Sequence, residues 1–232
     1  MASNSSSFKI ILGSSSVAHR KILAEMGYDF TIMTADIDEK SIRREKPEGL
    51  VMAIAEAKAD AIISKLQTID NEKKDAEPTV IVAADTADAI LQRLPIGDNI
   101  IKDAEPTLLI TSDQVVVYEG VIREKPSSKE EARQFMKDYS GGHAATVGSV
   151  LVTNLKTGFR KVDWDRVEIY FHEIPDETIE TLIEEGTVLK VAGGLIIEHP
   201  LILPLIKQVV GTTDSVMGLP KALTERLLKE AI

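Results

Sequence analysis

Cysteine is absent from the chain, so neither disulfides nor thiolate chemistry can contribute to its fold or its site. Only four histidines are present, which leaves little for a zinc centre. Any metal therefore has to be a hard cation held by carboxylates. Long hydrophobic runs are missing too: none approaches the roughly 20 residues that cross a bilayer. The opening MASNSSSF lacks the apolar core of a signal peptide. The expectation is a cytosolic protein with no membrane partner. Basic residues are in deficit, 27 against 37 acids for a net charge of −10, and phosphate-backbone binding wants the opposite. No nucleic-acid partner is expected, and positive charge can matter only as one small pocket.

What remains is enough for a core, since 232 residues with 44% hydrophobic content suit one large domain or two small ones. Phe8 to Leu12 reads as a strand, GSSS (Gly13 to Ser16) as a turn, and the following residues as a helix to about Met26. A strand, a hydroxyl-rich loop and a helix N-terminus suit a phosphate, although His19, Arg20 and Lys21 in the first turn are equally ordinary on a solvated face. A second strand is expected over Asp29 to Met33, then the acidic loop TADIDEKS with Asp36, Asp38 and Glu39. Such a loop can help hold magnesium or simply be hydrated. From Pro47 a long helix begins whose apolar stripe, Val51, Ile54 and Ile62, also carries Lys58. A lysine there either snorkels to water or points into a cleft.

The middle contains a tandem duplication. Ala59 to Thr86 recurs as Ala87 to Gln114, each copy ending in an apolar run and an aspartate, Asp85 and Asp113. Two copies are too few for a solenoid, so the reading is one domain over 8–232 with a disordered tail at 1–7. In the second copy Leu108 to Ile110 and Val115 to Val117 flank the polar break Thr111 to Gln114. We read this as a buried strand carrying Asp113 at its carboxyl end, where a carboxylate costs desolvation unless it has a task.

Beyond Lys125 and Pro126, Ser128 and Glu131 stand in capping-box spacing, with Ala132, Phe135, Met136 and Tyr139 on one face before Gly141 and Gly142. Ala145 to Thr153 and Arg166 to Phe171 read as paired strands, Asp176 to Glu185 and Pro220 to Ala231 as helices. In VAGGLIIEHP, Gly193 and Gly194 can let backbone approach a ligand, with Glu198 just beyond. The alternation of strands and helices predicts an α/β or mixed α+β domain.

Read together, ILGSSSVAHR, DIDE, AEAKA, SDQVV, EKP, YSGGHAATV, AGGLIIEH and DSVMGLP, in that order, resemble the Maf-like nucleoside triphosphate pyrophosphatases from about Ile10 to Leu228. The resemblance implies a curved mixed sheet flanked by helices around a deep nucleotide-binding cleft, as in Maf and inosine-triphosphatase folds, and often a homodimer. It also implies a nucleoside triphosphate as substrate, hydrolysed to the monophosphate and diphosphate with a divalent cation, Mg2+ or Mn2+. Carried onto this chain, Asp113, Lys58, Lys125 and Glu39 are the catalytic candidates. Ser14, His19, Arg20 and Glu198 are the substrate contacts, and Asp113, Glu39 and Glu198 the metal ligands. Two departures stand out: Val17, Ala18 and His19, with Arg20 next, stand where many relatives have a proline and then two arginines, and Glu198 stands where many members have glutamine. The alternatives are a non-catalytic nucleotide-binding regulator of cell division and an enzyme for damaged purine triphosphates.

Overall fold

The computed structural model describes residues 8–75 and 106–232, with side chains described outside 70–75. The tail 1–7, Asp85 and most of the duplicated unit fall outside that set. β1 (Lys9–Leu12) leads into helix α1 (Val17–Glu25) and β2 (Thr31–Ile32), and then into the long helix α2 (Pro47–Asp75). β3 (Thr107–Tyr118) turns into the short β4 (Val121–Arg123) and helix α3 (Lys129–Tyr139). β5 (His143–Asn154) and β6 (Arg160–Phe171) form a long hairpin, followed by helix α4 (Asp176–Glu185). β7 (Ile206–Val210), the single-turn helix α5 (Thr213–Val216) and helix α6 (Lys221–Ala231) complete the chain.

The strands make one mixed sheet in the order β2-β1-β3-β5-β6-β7, with β4 added to β3. β1 is parallel to both β2 and β3, whereas β3, β5, β6 and β7 run antiparallel in succession. The mixed α/β sheet flanked by helices is the fold class expected. Core residues cover both faces: Leu108, Ile110, Val150 and Val152 pack with α1 and α6, and Leu109 and Leu151 pack with α2. That two-sided burial is why β3 reads as an apolar run and not as an alternation. No helix among the described residues is long and apolar enough to cross a membrane.

Several boundaries moved for identifiable reasons. α3 starts where the capping spacing placed it, with Ser128 Oγ accepting from the Glu131 N–H at 3.1 Å. The Glu131 carboxylate instead accepts from Ser127 N–H and Oγ, at 2.6 and 2.7 Å. β6 begins six residues earlier than expected, at Arg160, because Arg160 to Asp165 are paired with β5 although they alternate poorly. The expected strand at Asp29 to Met33 shrinks to Thr31–Ile32, since only these two residues meet β1.

Candidate active site

Asp113 does not end its strand. β3 continues through the whole polar break, because each side chain of the break finds a partner on its own face of the pleat. On the α2 face Thr111 Oγ1 donates to Ala55 O at 2.8 Å, and Asp113 meets Lys58. On the opposite face Ser112 Oγ lies 3.1 Å from His19 Nδ1, and Gln114 Nε2 donates to Ser215 O at 2.9 Å.

The cleft is created by a gap beside this stretch. One side of β3 is covered by β5 from Leu108 to Val117. Its other side is covered by β1 only up to Ile110 and by β4 only from Val116. Among the described residues Thr111 to Val115 thus form an open edge, just past the carboxyl end of the parallel strand β1, the usual place for a ligand in such sheets. A cavity of about 950 Å³ fills the gap and is lined by residues from both faces.

Lys58 is held over this gap by the packing of α2. Val51 and Ile62 on the same stripe are fully buried, and Ser149 Oγ, opposite Asp113 in β5, donates to Val51 O at 2.8 Å. Ala55 and Ala59, also fully buried, let the helix approach the sheet closely. The ammonium does not snorkel. It contacts Asp113 Oδ1 at 2.8 Å and Glu39 Oε1 at 3.0 Å, with side-chain exposures of 17%, 11% and 45% for Lys58, Asp113 and Glu39. Burial alone would lower the lysine pKa, but the two carboxylates outweigh it and hold Lys58 charged. Asp113 is raised above the ordinary carboxylate range, chiefly by burial; the Lys58 ammonium opposes the rise and Glu39 adds to it. A carboxylate raised in this way accepts a proton more readily.

The GSSS loop brings α1 to the other lip of the gap. Ser16 caps the helix, accepting from the His19 N–H at 3.3 Å, while the Val17 and Ala18 amides belong to the first turn and have no intrahelical acceptor. His19 folds back onto the sheet: its Nδ1 faces Ser14 Oγ at 2.9 Å as well as Ser112 Oγ. Its Nε2 would lie 2.5 Å from a Cβ at position 218, where φ is +97°, so only glycine leaves room for the ring. Burial, with Lys58 second, drops His19 to about 4, and the ring is neutral at pH 7.

That neutrality carries a stability prediction. The folded pKa lies below the unfolded value near 6.5, so the unfolded chain binds the extra proton, and this stability is lost as pH falls from about 6.5 to about 4. Between pH 7.5 and 5 the wild type should lose about 2 kcal/mol more than His19→Asn, which keeps a hydrogen-bonding group but cannot titrate. Urea midpoints of the two proteins at both pH values check it, and parallel losses would show that the ring is not held neutral.

On the far side of the gap, Lys125 and Pro126 line the cleft with Lys190 to Ala192 and Leu195 to Glu198. Gly193 ties the two together: its N–H donates to Glu124 O at 2.9 Å, and Tyr139 Oη donates to its carbonyl at 2.9 Å. A Cβ on Gly193, whose φ is +59°, would lie 2.5 Å from Val116 Cβ. The glycine thus serves close approach to β3, not approach to a ligand as its sequence context suggested.

Seven of the eight candidates, Ser14, His19, Glu39, Lys58, Asp113, Lys125 and Glu198, line this one cavity; Arg20 does not. Arg20 Nε is buried without a hydrogen-bond partner among the described residues. Lys40 and Lys190 are further cations of the cavity that the sequence reading passed over. Both lie in loops or single turns whose local pattern marks nothing. Glu198 is exposed and lies outside the Lys58 cluster, and no group of three or more potential metal-binding side chains gathers among the described residues. Asp113 and Glu39 nevertheless suit a hard cation: one oxygen of each contacts Lys58, and Mg2+ is commonly held by one or two carboxylates with phosphate and water completing its shell.

An open gap in a mixed sheet, with a lysine between two carboxylates and a serine-rich helix start lining the same cavity, defines an α/β protein with a charged cleft at its sheet edge. The chain belongs to the Maf-like proteins, whose family profile matches residues 9–231. It is 34% identical over 221 residues to a 7-methyl-GTP pyrophosphatase of Dictyostelium discoideum, covering 95% of this chain and 96% of the relative. It is 26% identical to a dTTP/UTP pyrophosphatase of Alkaliphilus metalliredigens, covering 91% and 90% of the two chains. A nucleoside triphosphate pyrophosphatase of Chlamydia muridarum is also 26% identical, with coverage of 96% and 93%.

Proposed function

We propose that this cleft hydrolyses a nucleoside triphosphate between its α and β phosphates, releasing the nucleoside monophosphate and diphosphate as a house-cleaning activity. The observation that carries the reading is the Lys58 ammonium bridging Asp113 and Glu39 at the open edge of β3. There a fixed cation faces the phosphate, and a carboxylate of raised pKa stands ready to take a proton from water. Asp113 orients the attacking water and accepts its proton. Lys58 neutralises charge as it develops on the α phosphoryl oxygens, and Lys125 with the first-turn amides of α1 holds the leaving diphosphate. A magnesium or manganese ion, when held by Asp113 and Glu39, would supply further charge neutralisation on the phosphate oxygens. His19, being neutral, serves as a hydrogen-bonded support and not as a phosphate cation.

The test is diphosphate release from a panel of triphosphates with magnesium. Turnover of at least one nucleotide to monophosphate and diphosphate is expected. Tight binding without turnover would instead favour the regulatory, non-catalytic reading.

Glu198 governs the base in this reading. A carboxylate accepts two N–H bonds from a guanine edge and favours a methylated, positively charged purine over uracil. Glu198→Gln should shift the ranking of substrates from 7-methyl-GTP toward pyrimidine triphosphates. An unchanged ranking would remove Glu198 from base selection.

A further inference from the structure

A second pocket of about 380 Å³ adjoins the cleft and shares Lys40, Leu50, Glu124, Lys125 and Ser127 with it. It lies past β4, so the Lys40 side of the chain and the EKP turn form a common threshold. Five cations line it, Lys40, Arg43, Arg44, Arg123 and Lys125, against the acids Glu124 and Glu131. The acids do not balance the charge. Glu131 is engaged by Ser127, and among the described residues Glu124 pairs only with Arg43, at 3.3 Å in an exposed pair. Arg123 is committed to Asp138 and lies over the rings of Tyr118 and Phe135 at 4.3 and 4.4 Å. Among the described residues Lys40, Arg44 and Lys125 have no acid within ion-pair distance, and the Arg44 guanidinium contacts only the Arg43 carbonyl, at 2.8 Å. In a chain of net charge −10 this is a local excess of positive charge, and it is backed by an apolar wall of Leu50, Ile122 and Phe135.

Free phosphate needs no such wall, whereas a nucleotide presents both a flat apolar base and anionic oxygens. We propose that this pocket binds the distal nucleoside and its phosphate in a dinucleoside triphosphate whose first nucleotide occupies the main cleft. The enzyme would thereby cleave capped, two-nucleoside substrates as well as simple triphosphates. This rests on the reaction proposed above. The oxygen of water bonds to the α phosphorus of the first nucleotide, and the bond from that phosphorus to the α–β bridging oxygen breaks. The electron pair leaves with a nucleoside diphosphate, and the proton of the water passes to Asp113 and then to solvent. A nucleoside monophosphate and a nucleoside diphosphate result.

The test compares 7-methyl-GTP with the dinucleotide in which guanosine caps its γ phosphate, using wild type and the Arg43→Ala, Arg44→Ala double variant. Both arginines are exposed, so the fold should be unaffected. Wild type should release 7-methyl-GMP and GDP from the dinucleotide. The double variant should raise KM for the dinucleotide about tenfold, as expected for two lost exposed charge contacts, with 7-methyl-GTP turnover within about twofold. Hydrolysis of 7-methyl-GTP with the dinucleotide left intact would overturn the proposal, as would equal effects of the variant on both. If neither compound is turned over, the reaction itself fails and equilibrium binding decides the pocket. Tighter binding of the dinucleotide, lost in the variant, supports the second subsite; equal affinities refute it.

Discussion

Asp113→Asn should reduce hydrolysis by on the order of 10² to 10⁴-fold, the range for removal of a general base, while Asp85→Asn stays close to wild type. The duplication makes the contrast informative, because the two aspartates occupy equivalent offsets in copies that share ADAI and KDAEPT. Asp85 lies outside the described residues; Asp113 stands on a strand paired with β1 and β5, its carboxylate is 2.8 Å from Lys58, and the turn carrying Lys125 follows on β4. Asparagine is isosteric and still reaches Lys58, so the fold should survive. Both variants would be compared by diphosphate release and by thermal midpoint. Loss of activity in Asp85→Asn with Asp113→Asn intact would put the first copy in the active site.

Lys58→Met is the second large effect, and it has two separable readouts. Removal of a preorganised cation aimed at the phosphate should cost roughly 10² to 10³-fold in kcat/KM. It also deletes the charge that opposes the upward shift of Asp113. The carboxyl pKa then rises further, so whatever activity remains should show its acid limb displaced to higher pH. A limb that stays in place would mean that Asp113 is not the base, even if activity falls. Lys125→Ala is the useful control: Lys125 is exposed and has no acidic partner among the described residues, so activity should fall there without the change in pH profile.

Much of this site could be read from the sequence, because its parts are local patterns. Lys58 stood on an apolar stripe with Val51, Ile54 and Ile62, and Asp113 interrupted an apolar run; both signals are one-dimensional. The α3 cap was legible for the same reason, with Ser128 and Glu131 in capping-box spacing. What could not be read arises from pairing between distant segments. The gap beside Thr111 to Val115 exists because β1 stops at Leu12 and β4 starts at Val121, and no single window contains both. The fit of His19 against Gly218 joins residues from opposite ends of the chain. The short edge strand β7 has too little length to show a period, and nothing local in Asp29 to Met33 shows that only Thr31–Ile32 pairs with β1. The role of Gly193 was misread because sequence shows that a glycine is needed but not which neighbour requires it.

The central claim is attack of water on the α phosphorus within this cleft. Running the reaction with 7-methyl-GTP in water enriched in oxygen-18, then weighing both products by mass spectrometry, tests it most directly. The label should appear in the nucleoside monophosphate, with the diphosphate unlabelled. Label in diphosphate or in orthophosphate would place the attack on another phosphorus and contradict the account.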